Sequence, residues 1–320
     1  MSDTQNNGQL ESKNEAYERL KEERKKFTHI SFSEFTLYKN CPHQHLILKH
    51  LGIDQDDPSI HLYFGNCVHE SFEYALRDGK DIEYRVKKFR DDFYKQMIDN
   101  MRGMPGFEEV YDYLDQGENI IRTFNTDELA GEYEVVSVEE DLYEKLSGRF
   151  HFKGFIDLVL RSKKTGRYLI VDWKTSGHEW NVSEPKKFGY KFKDDIFLCQ
   201  MPFYKFFWAR KHGIDMDEID CQYIVLNRLV NKKNPNSGFG KPQYVPIKSS
   251  FDDIEKALLL LANAVRGIHI ENYFPKVKDT NPELKFKHPG CLFCKYKGNK
   301  HVLCNSNQKQ YQQMLIEHKF

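Results

Sequence analysis

No apolar run in the 320-residue chain approaches the ~20 residues that a membrane-spanning helix requires. The opening 27 residues are polar and charge-dense, with no apolar core of the kind a secretory signal carries. They read as a disordered charged arm, and a cytoplasmic address follows by default. Net charge is missing too: Lys+Arg and Asp+Glu number 48 each, which argues against a protein that coats nucleic acid through bulk electrostatics. A local basic channel around an acidic centre stays compatible with that balance. There is no GxxxxGK[ST] pattern, so no helicase motor is expected to be fused to this sequence. Cysteine is odd in number, seven in all, which with no export signal argues against a disulfide framework.

What is present centres on Gly154 to Gly177, GFIDLVLRSKKTGRYLIVDWKTSG. Phe155 to Leu160 and Tyr168 to Val171 are apolar runs rich in β-formers, and Lys163-Lys164-Thr165-Gly166 between them has turn composition. Alternation puts Asp157 on the opposite face from Ile156 and Leu158, and Asp172 on the same face as Lys174. One acid on each of two neighbouring strands, with a lysine beside the second, is a minimal set for metal-assisted phosphodiester hydrolysis. Hard oxygen donors suit Mg²⁺ or Mn²⁺, and the ammonium offsets charge on the phosphate or orients the attacking water. A surface hairpin with solvated charges is the bland alternative, and D…DxK alone does not displace it.

Around this hairpin the chain reads as helices and strands. Ser33 is the expected N-cap of a first helix, which Cys41-Pro42 breaks. His43 and His45 are expected at the surface or partly buried. Residues 61–77 read as a helix initiated at Gly65, with Val68, Phe72, Ala75 and Leu76 as its buried stripe and His69 just off it. Residues 81–130 stay helical, broken at Gly103-Met104-Pro105-Gly106, and 133–152 alternate as strands leading into the hairpin. Residues 178–193 mix lysines with rings, Trp180, Phe188, Tyr190 and Phe192 among them. Such a loop suits a single strand of nucleic acid as well as it suits rings tucked inward. A helix from about Asp194 to Lys211 carries Gln200 and Tyr204 four apart on one face. A second hairpin over 220–247 and an apolar amphipathic helix over 251–270 follow.

The C-terminal part holds Cys291-Leu-Phe-Cys294 and then Cys304, a spacing at which thiolates wrap a metal. A fourth ligand is required. His301 would complete a Cys₃His zinc site; Cys41 would make four thiolates and permit an iron–sulfur cluster.

Taken together, these motifs resemble the RecB-like branch of the PD-(D/E)xK nucleases in its iron–sulfur form, which includes AddB-type subunits and CRISPR-associated exonucleases. The carriers are Ser33-x-Phe35-x-x-Tyr38-x-x-Cys41-Pro42, Gly65-x-x-Val68-His69-x-x-x-Glu73, Gly154-Phe155-Ile156-Asp157, Ile170-Val171-Asp172-Trp173-Lys174-Thr175, Gln200-x-x-x-Tyr204 and the C-terminal cysteines. They run in the family's order from Ser33 to Cys304. The resemblance implies a restriction-endonuclease-like α/β fold, a mixed central sheet flanked by helices, in one nuclease domain over 28–320 with a helical insertion at about 78–130. It implies Asp157, Asp172 and His69 as ligands of Mg²⁺ or Mn²⁺, with the Trp173 carbonyl as a further oxygen. Lys174 would position water or stabilise the transition state, and Gln200 and Tyr204 would contact the nucleic-acid backbone. Cys41, Cys291, Cys294 and Cys304 would hold a [4Fe-4S] cluster that joins the two ends of the domain. The gap between Cys294 and Cys304 exceeds the family's usual spacing, which keeps zinc with His301 open. The implied activity is metal-dependent DNA cleavage, exonucleolytic on single-stranded DNA ends in recombination, repair or replication, with any helicase or recombination partner a separate protein and no membrane involved. A flap-type endonuclease and a catalytically vestigial nucleic-acid-binding scaffold are the alternatives.

Overall fold

The computed structural model describes residues 28–50, 59–99, 106–124, 126–177, 180, 197–228 and 241–270. The N-terminal arm, most of the basic-aromatic loop, Cys291, Cys294, His301 and Cys304 lie outside the described residues. The chain divides into two units: 1–56 with 145–151 and 259–320, and 57–144 with 152–258.

In the first unit, strand β1 (His29–Ser31) runs straight into helix α1 (Phe32–Asn40). The cap is Ser31 rather than Ser33. Ser31 is extended, at φ −93° and ψ 167°, and its hydroxyl accepts from Glu34 N at 3.2 Å, whereas Ser33 falls inside the first turn. Cys41, at φ −156° and ψ 107°, leaves the helical region for one residue, and Pro42 then opens α2 (Pro42–His45) from the position where a missing N–H costs nothing. That break turns the following residues inward. His43 and His45 are buried rather than superficial; His45 Nε2 lies 3.0 Å from Glu34 Oε1, and its ring meets Tyr38 edge-on. Cys41 is a buried free thiol. His151 N donates to Thr28 O at 2.8 Å, which ties the tip of the long hairpin to β1.

The second unit begins with four helices: α3 (Ile60–Asp78), α4 (Ile82–Asp99), α5 (Phe107–Thr123) and α6 (Thr126–Glu132). Helix α3 starts five residues before Gly65, because Ile60 and Phe64 extend the buried stripe one turn upstream. Val68 and Phe72 are buried as expected; Ala75 and Leu76 are half-buried. The strands follow: β2 (Tyr133–Ser147), β3 (Phe150–Ser162), β4 (Tyr168–Ser176), β5 (Ile219–Asn227) and β6 (Gln243–Ile247). Within this sheet β2 pairs with β3, β3 is antiparallel to β4, β4 parallel to β5, and β5 antiparallel to β6. It is the mixed α/β sheet that the family resemblance implies. A parallel neighbour requires a crossover, and α7 (Gln200–His212) supplies it after a 3₁₀ turn at Phe197–Cys199. The expected start of that helix near Asp194 lies outside the described residues. The last helix, α8 (Phe251–His269), crosses from this unit into the first.

Helices pack on both faces of the sheet, and β4 reports to both. Its Trp173 is buried against Phe72 of α3 and against Phe124, with ring centroids 5.2 and 5.1 Å away. Each such ring pair contributes about 0.5–1.5 kcal/mol beyond area burial. On the other side Phe152 of β3 stacks on Phe207 of α7 at 4.5 Å. Trp180, which the sequence places in a loop of rings and lysines, is tucked inward: it is buried, its ring 5.4 Å from Tyr223, and Gln243 bonds both its N–H and its carbonyl.

Candidate active site

Because Trp173 faces α3, strand alternation points its neighbours Asp172 and Lys174 at the α7 side. There Gln200, the first residue of α7, donates from Nε2 to Asp172 Oδ1 at 2.7 Å. The same Nε2 lies 3.2 Å from the Tyr204 hydroxyl one turn on, and the Tyr223 hydroxyl donates to Gln200 Oε1 at 3.4 Å. Lys174 Nζ forms an ion pair with the other oxygen of Asp172 and sits 5.6 Å over the Tyr223 ring. Asp172, Gln200, Tyr204 and Tyr223 are all buried. Burial, with Asp172 nearby, holds both tyrosines protonated well above their ordinary value, so they act as neutral hydrogen-bonding groups. Gln200 and Tyr204 therefore meet as the i, i+4 spacing predicts, and what they orient is a carboxylate.

Asp157 arrives from β3. The register with β4 is fixed as far as Leu158 opposite Val171. One residue on, the Asp157 carboxylate accepts from Trp173 N at 2.7 Å and takes that backbone N–H for itself. Gly154, three residues earlier, is required by close approach: a Cβ there would sit 3.0 Å from the Tyr204 ring. His69 comes from the middle of α3. Its Nδ1 lies 3.8 Å from Asp157 Oδ2, and its Nε2 is buried with no hydrogen-bond partner among the described residues.

One member of the site escaped the sequence reading. Glu139 of β2 brings a carboxylate oxygen to His69 and Asp157, and ligand atoms of the three lie within 4.8 Å of one another. Its backbone is at φ 52°, the one non-glycine residue with positive φ among those described. The inward positions of β2 change parity there: 133, 135 and 137 face inward before it, and 142, 144 and 146 after. That slip is the mark of a β-bulge, which re-aims a side chain at the expense of the ladder. The adjacent Glu140 anchors the bulge to α7, accepting from Trp208 Nε1 at 2.9 Å and Lys211 Nζ at 2.8 Å, with His212 Nε2 at 2.6 Å. The acidic pair Glu139-Glu140 inside an otherwise alternating strand was the available signal.

The electrostatics reflect charges collected out of water. Burial raises Asp157 and Asp172 to about 6, with Lys174 opposing the rise in both. Burial, reinforced by Asp157 and Glu73, raises Glu139 to about 7. Burial also lowers His69, to about 4, and Lys174 adds to the effect. Three clustered carboxylates resisting ionisation, beside an imidazole held neutral with one nitrogen orphaned, are a donor set suited to a divalent cation. Oxygen donors with one imidazole suit Mg²⁺ and Mn²⁺. Lys174 is the cation next to that centre.

The family model of the PD-(D/E)XK nuclease superfamily matches residues 29–298. Among solved structures, the chain is similar to a candidate exonuclease from Eubacterium rectale, with 19% identity over 83% of this chain and 89% of that one, at a TM-score of 0.51. At that identity the likeness speaks for the fold alone. A second structure, that of SSO0001, has 10% identity over 78% of this chain and 83% of that one, at a TM-score of 0.33 that carries no argument. No curated protein matches.

Proposed function

Since the chain belongs to the PD-(D/E)XK nuclease superfamily, we propose that it is a metal-dependent deoxyribonuclease whose centre comprises His69, Glu139, Asp157, Asp172 and Lys174. The observation that carries this reading is the convergence of His69, Glu139 and Asp157, from three separate elements, within 4.8 Å. A Mg²⁺ or Mn²⁺ ion held there would supply Lewis-acid polarisation of the phosphate and a nucleophilic water at neutral pH. The chain's own residues do the rest. Asp157 and Asp172 bind from neighbouring strands, the first fixed by Trp173 N and the second by Gln200. Asp172 and Lys174 are paired before substrate arrives. Asp172 would be among the residues holding the cation, and Lys174, its partner here, would be the ammonium placed to offset charge on the phosphate or to hold the attacking water. Gln200, Tyr204 and Tyr223 keep the Asp172 carboxylate in one orientation in a dry setting, the kind of support that makes a site precise.

Within that activity, single-stranded DNA with a free end is the proposed substrate, handled during recombination, repair or replication, with any helicase supplied by another protein. Of these features only action at an end is in keeping with what the Eubacterium rectale protein, a candidate exonuclease, is named for. Cleavage of linear single strands in Mg²⁺ or Mn²⁺ is the test. Asp172→Ala and Lys174→Ala should each abolish it, and full activity in either would overturn the assignment. Degradation of closed circular single strands would replace the exonuclease reading with a flap-type endonuclease.

A [4Fe-4S] cluster on Cys41, Cys291, Cys294 and Cys304 belongs to the same proposal. Cys41 supports it as a buried free thiol at the α1–α2 break; the other three lie outside the described residues. Anaerobically purified protein should be brown, with a broad band near ~400 nm and iron at cluster stoichiometry. A colourless protein with one zinc would transfer the fourth position to His301.

A further inference from the structure

Strands β4 and β5 run parallel, so their carboxyl ends lie side by side, the edge at which open α/β sheets receive ligands. Arg228 follows β5 at that edge, and its backbone N donates to Ser176 O, the last residue of β4, at 2.9 Å. Ser176 is four residues beyond Asp172, roughly 13 Å along the strand. The half-buried guanidinium lies 4.8 Å over the ring of Tyr113, and Nη1 reaches Gln116 Oε1 at 3.4 Å, both on α5. Among the described residues it forms no ion pair with a carboxylate. Glu109 is close enough to His61 and Tyr113 to be felt electrostatically, yet it does not pair with Arg228. Tyr113 is itself fixed, its hydroxyl 2.6 Å from Nδ1 of the exposed His61. Gly177 makes the room: a Cβ there would come within 3.2 Å of an Arg228 nitrogen.

A fixed, stacked arginine with no carboxylate partner among the described residues, beyond the catalytic lysine at the ligand-receiving edge, has the chemistry of a phosphate contact. We propose that Arg228, supported by Tyr113 and Gln116 with His61 at its margin, binds a backbone phosphate of the nucleic-acid strand a few nucleotides from the scissile bond. The inference rests on the nuclease reading above and extends it with a positioning residue. It serves to hold the strand in register while the centre cuts, and it carries no base preference.

The test is binding of a fluorescein-labelled single-stranded oligonucleotide in EDTA, which holds cleavage off, across ~50 to ~200 mM salt. Arg228→Gln should weaken binding about tenfold and reduce the slope of log affinity against log salt by about 0.7. Arg228→Lys should keep the slope, because the charge remains, while losing part of the affinity with the fork and the stack. A purely structural arginine would change melting temperature and leave the slope at the wild-type value in both variants; that result overturns the inference. If Arg228→Gln does not fold, Gly177→Ala, which crowds the guanidinium without removing its charge, should weaken binding at unchanged melting temperature, and unaltered binding counts against the contact. Wild-type cleavage of the same oligonucleotide in Mg²⁺ separates failure of this contact from failure of the nuclease reading itself.

Discussion

Gln200 Nε2 and Asp172 Oδ1 lie 2.7 Å apart in a buried contact that joins the first residue of α7 to the middle of β4. The bond turns the QxxxY spacing into an orientation device: the same amide also meets the Tyr204 hydroxyl, so one helix turn fixes one carboxylate. Gln200→Leu removes the donor and leaves a buried oxygen of Asp172 unsatisfied. Cleavage should fall about 10- to 100-fold, the range for losing a residue that orients a metal ligand. Mn²⁺ affinity should fall with it, while binding of the oligonucleotide in EDTA stays near wild type. A loss of oligonucleotide binding with intact metal affinity would instead make Gln200 a direct backbone contact.

Glu139 sets function against stability in a single residue. A non-glycine side chain at φ 52° costs about 1–2 kcal/mol, and the carboxylate it delivers adds to a crowded acidic cluster. Glu139→Gln keeps the strain and removes the charge; Glu139→Gly removes both. Both variants should weaken Mn²⁺ binding, read by electron paramagnetic resonance. Both shed the charge from the cluster, and the glycine variant, which sheds the strain as well, should be the more stable of the two against denaturant by about 1 kcal/mol. Unchanged Mn²⁺ affinity in both would remove Glu139 from the centre.

These two residues also mark where the sequence stops being legible. Asp157, Asp172 and Lys174 announced themselves because strand period places two acids and a lysine on paired strands, and Gln200 and Tyr204 because the helical period puts them on one face. The strands and the helical layer were readable from the same periodicities, whereas the mixed pairing of the sheet was implied by the family resemblance. Glu139 was not, since a bulge breaks the period on which such reading depends. His43 and His45 were misplaced for a related reason: a one-residue break at Cys41 changes where every later side chain points. The extension of α3 upstream of Gly65 shows a core stripe outweighing a glycine as the start signal.

Trp173 couples the two halves of the site through packing. Its ring is enclosed by Phe72 and Phe124 while its backbone N–H holds Asp157, between the side chains of Asp172 and Lys174. Trp173→Ala should cost about 3–5 kcal/mol, read by denaturant unfolding. Trp173→Phe keeps the aromatic contact and should lose far less stability. If Trp173→Phe nonetheless cleaves several-fold more slowly at unchanged fold, the indole's bulk is setting the position of the Asp157 carboxylate.

The perturbed groups predict opposite pH trends for the metal-free and metal-loaded protein. Asp157 and Asp172 rise from 3.8 to about 6, and Glu139 from 4.5 to about 7. In that window the folded chain holds protons the unfolded chain has released. Each group's contribution is therefore complete below its unfolded value and lost as pH climbs through 6 or 7. His69, lowered from 6.5 to about 4, runs the other way: its contribution is present above 6.5 and lost as pH falls toward 4. Three groups against one make the melting temperature in EDTA fall as pH rises from ~4.5 to ~7.5. Cation binding needs the carboxylates ionised and the imidazole neutral, so Mn²⁺ affinity climbs across the same range, and with it the stabilisation that Mn²⁺ confers. Thermal melts with EDTA and with Mn²⁺ at matched pH should therefore diverge as pH rises. Parallel curves would mean that the cation binds without displacing protons from these residues, and would count against their holding it.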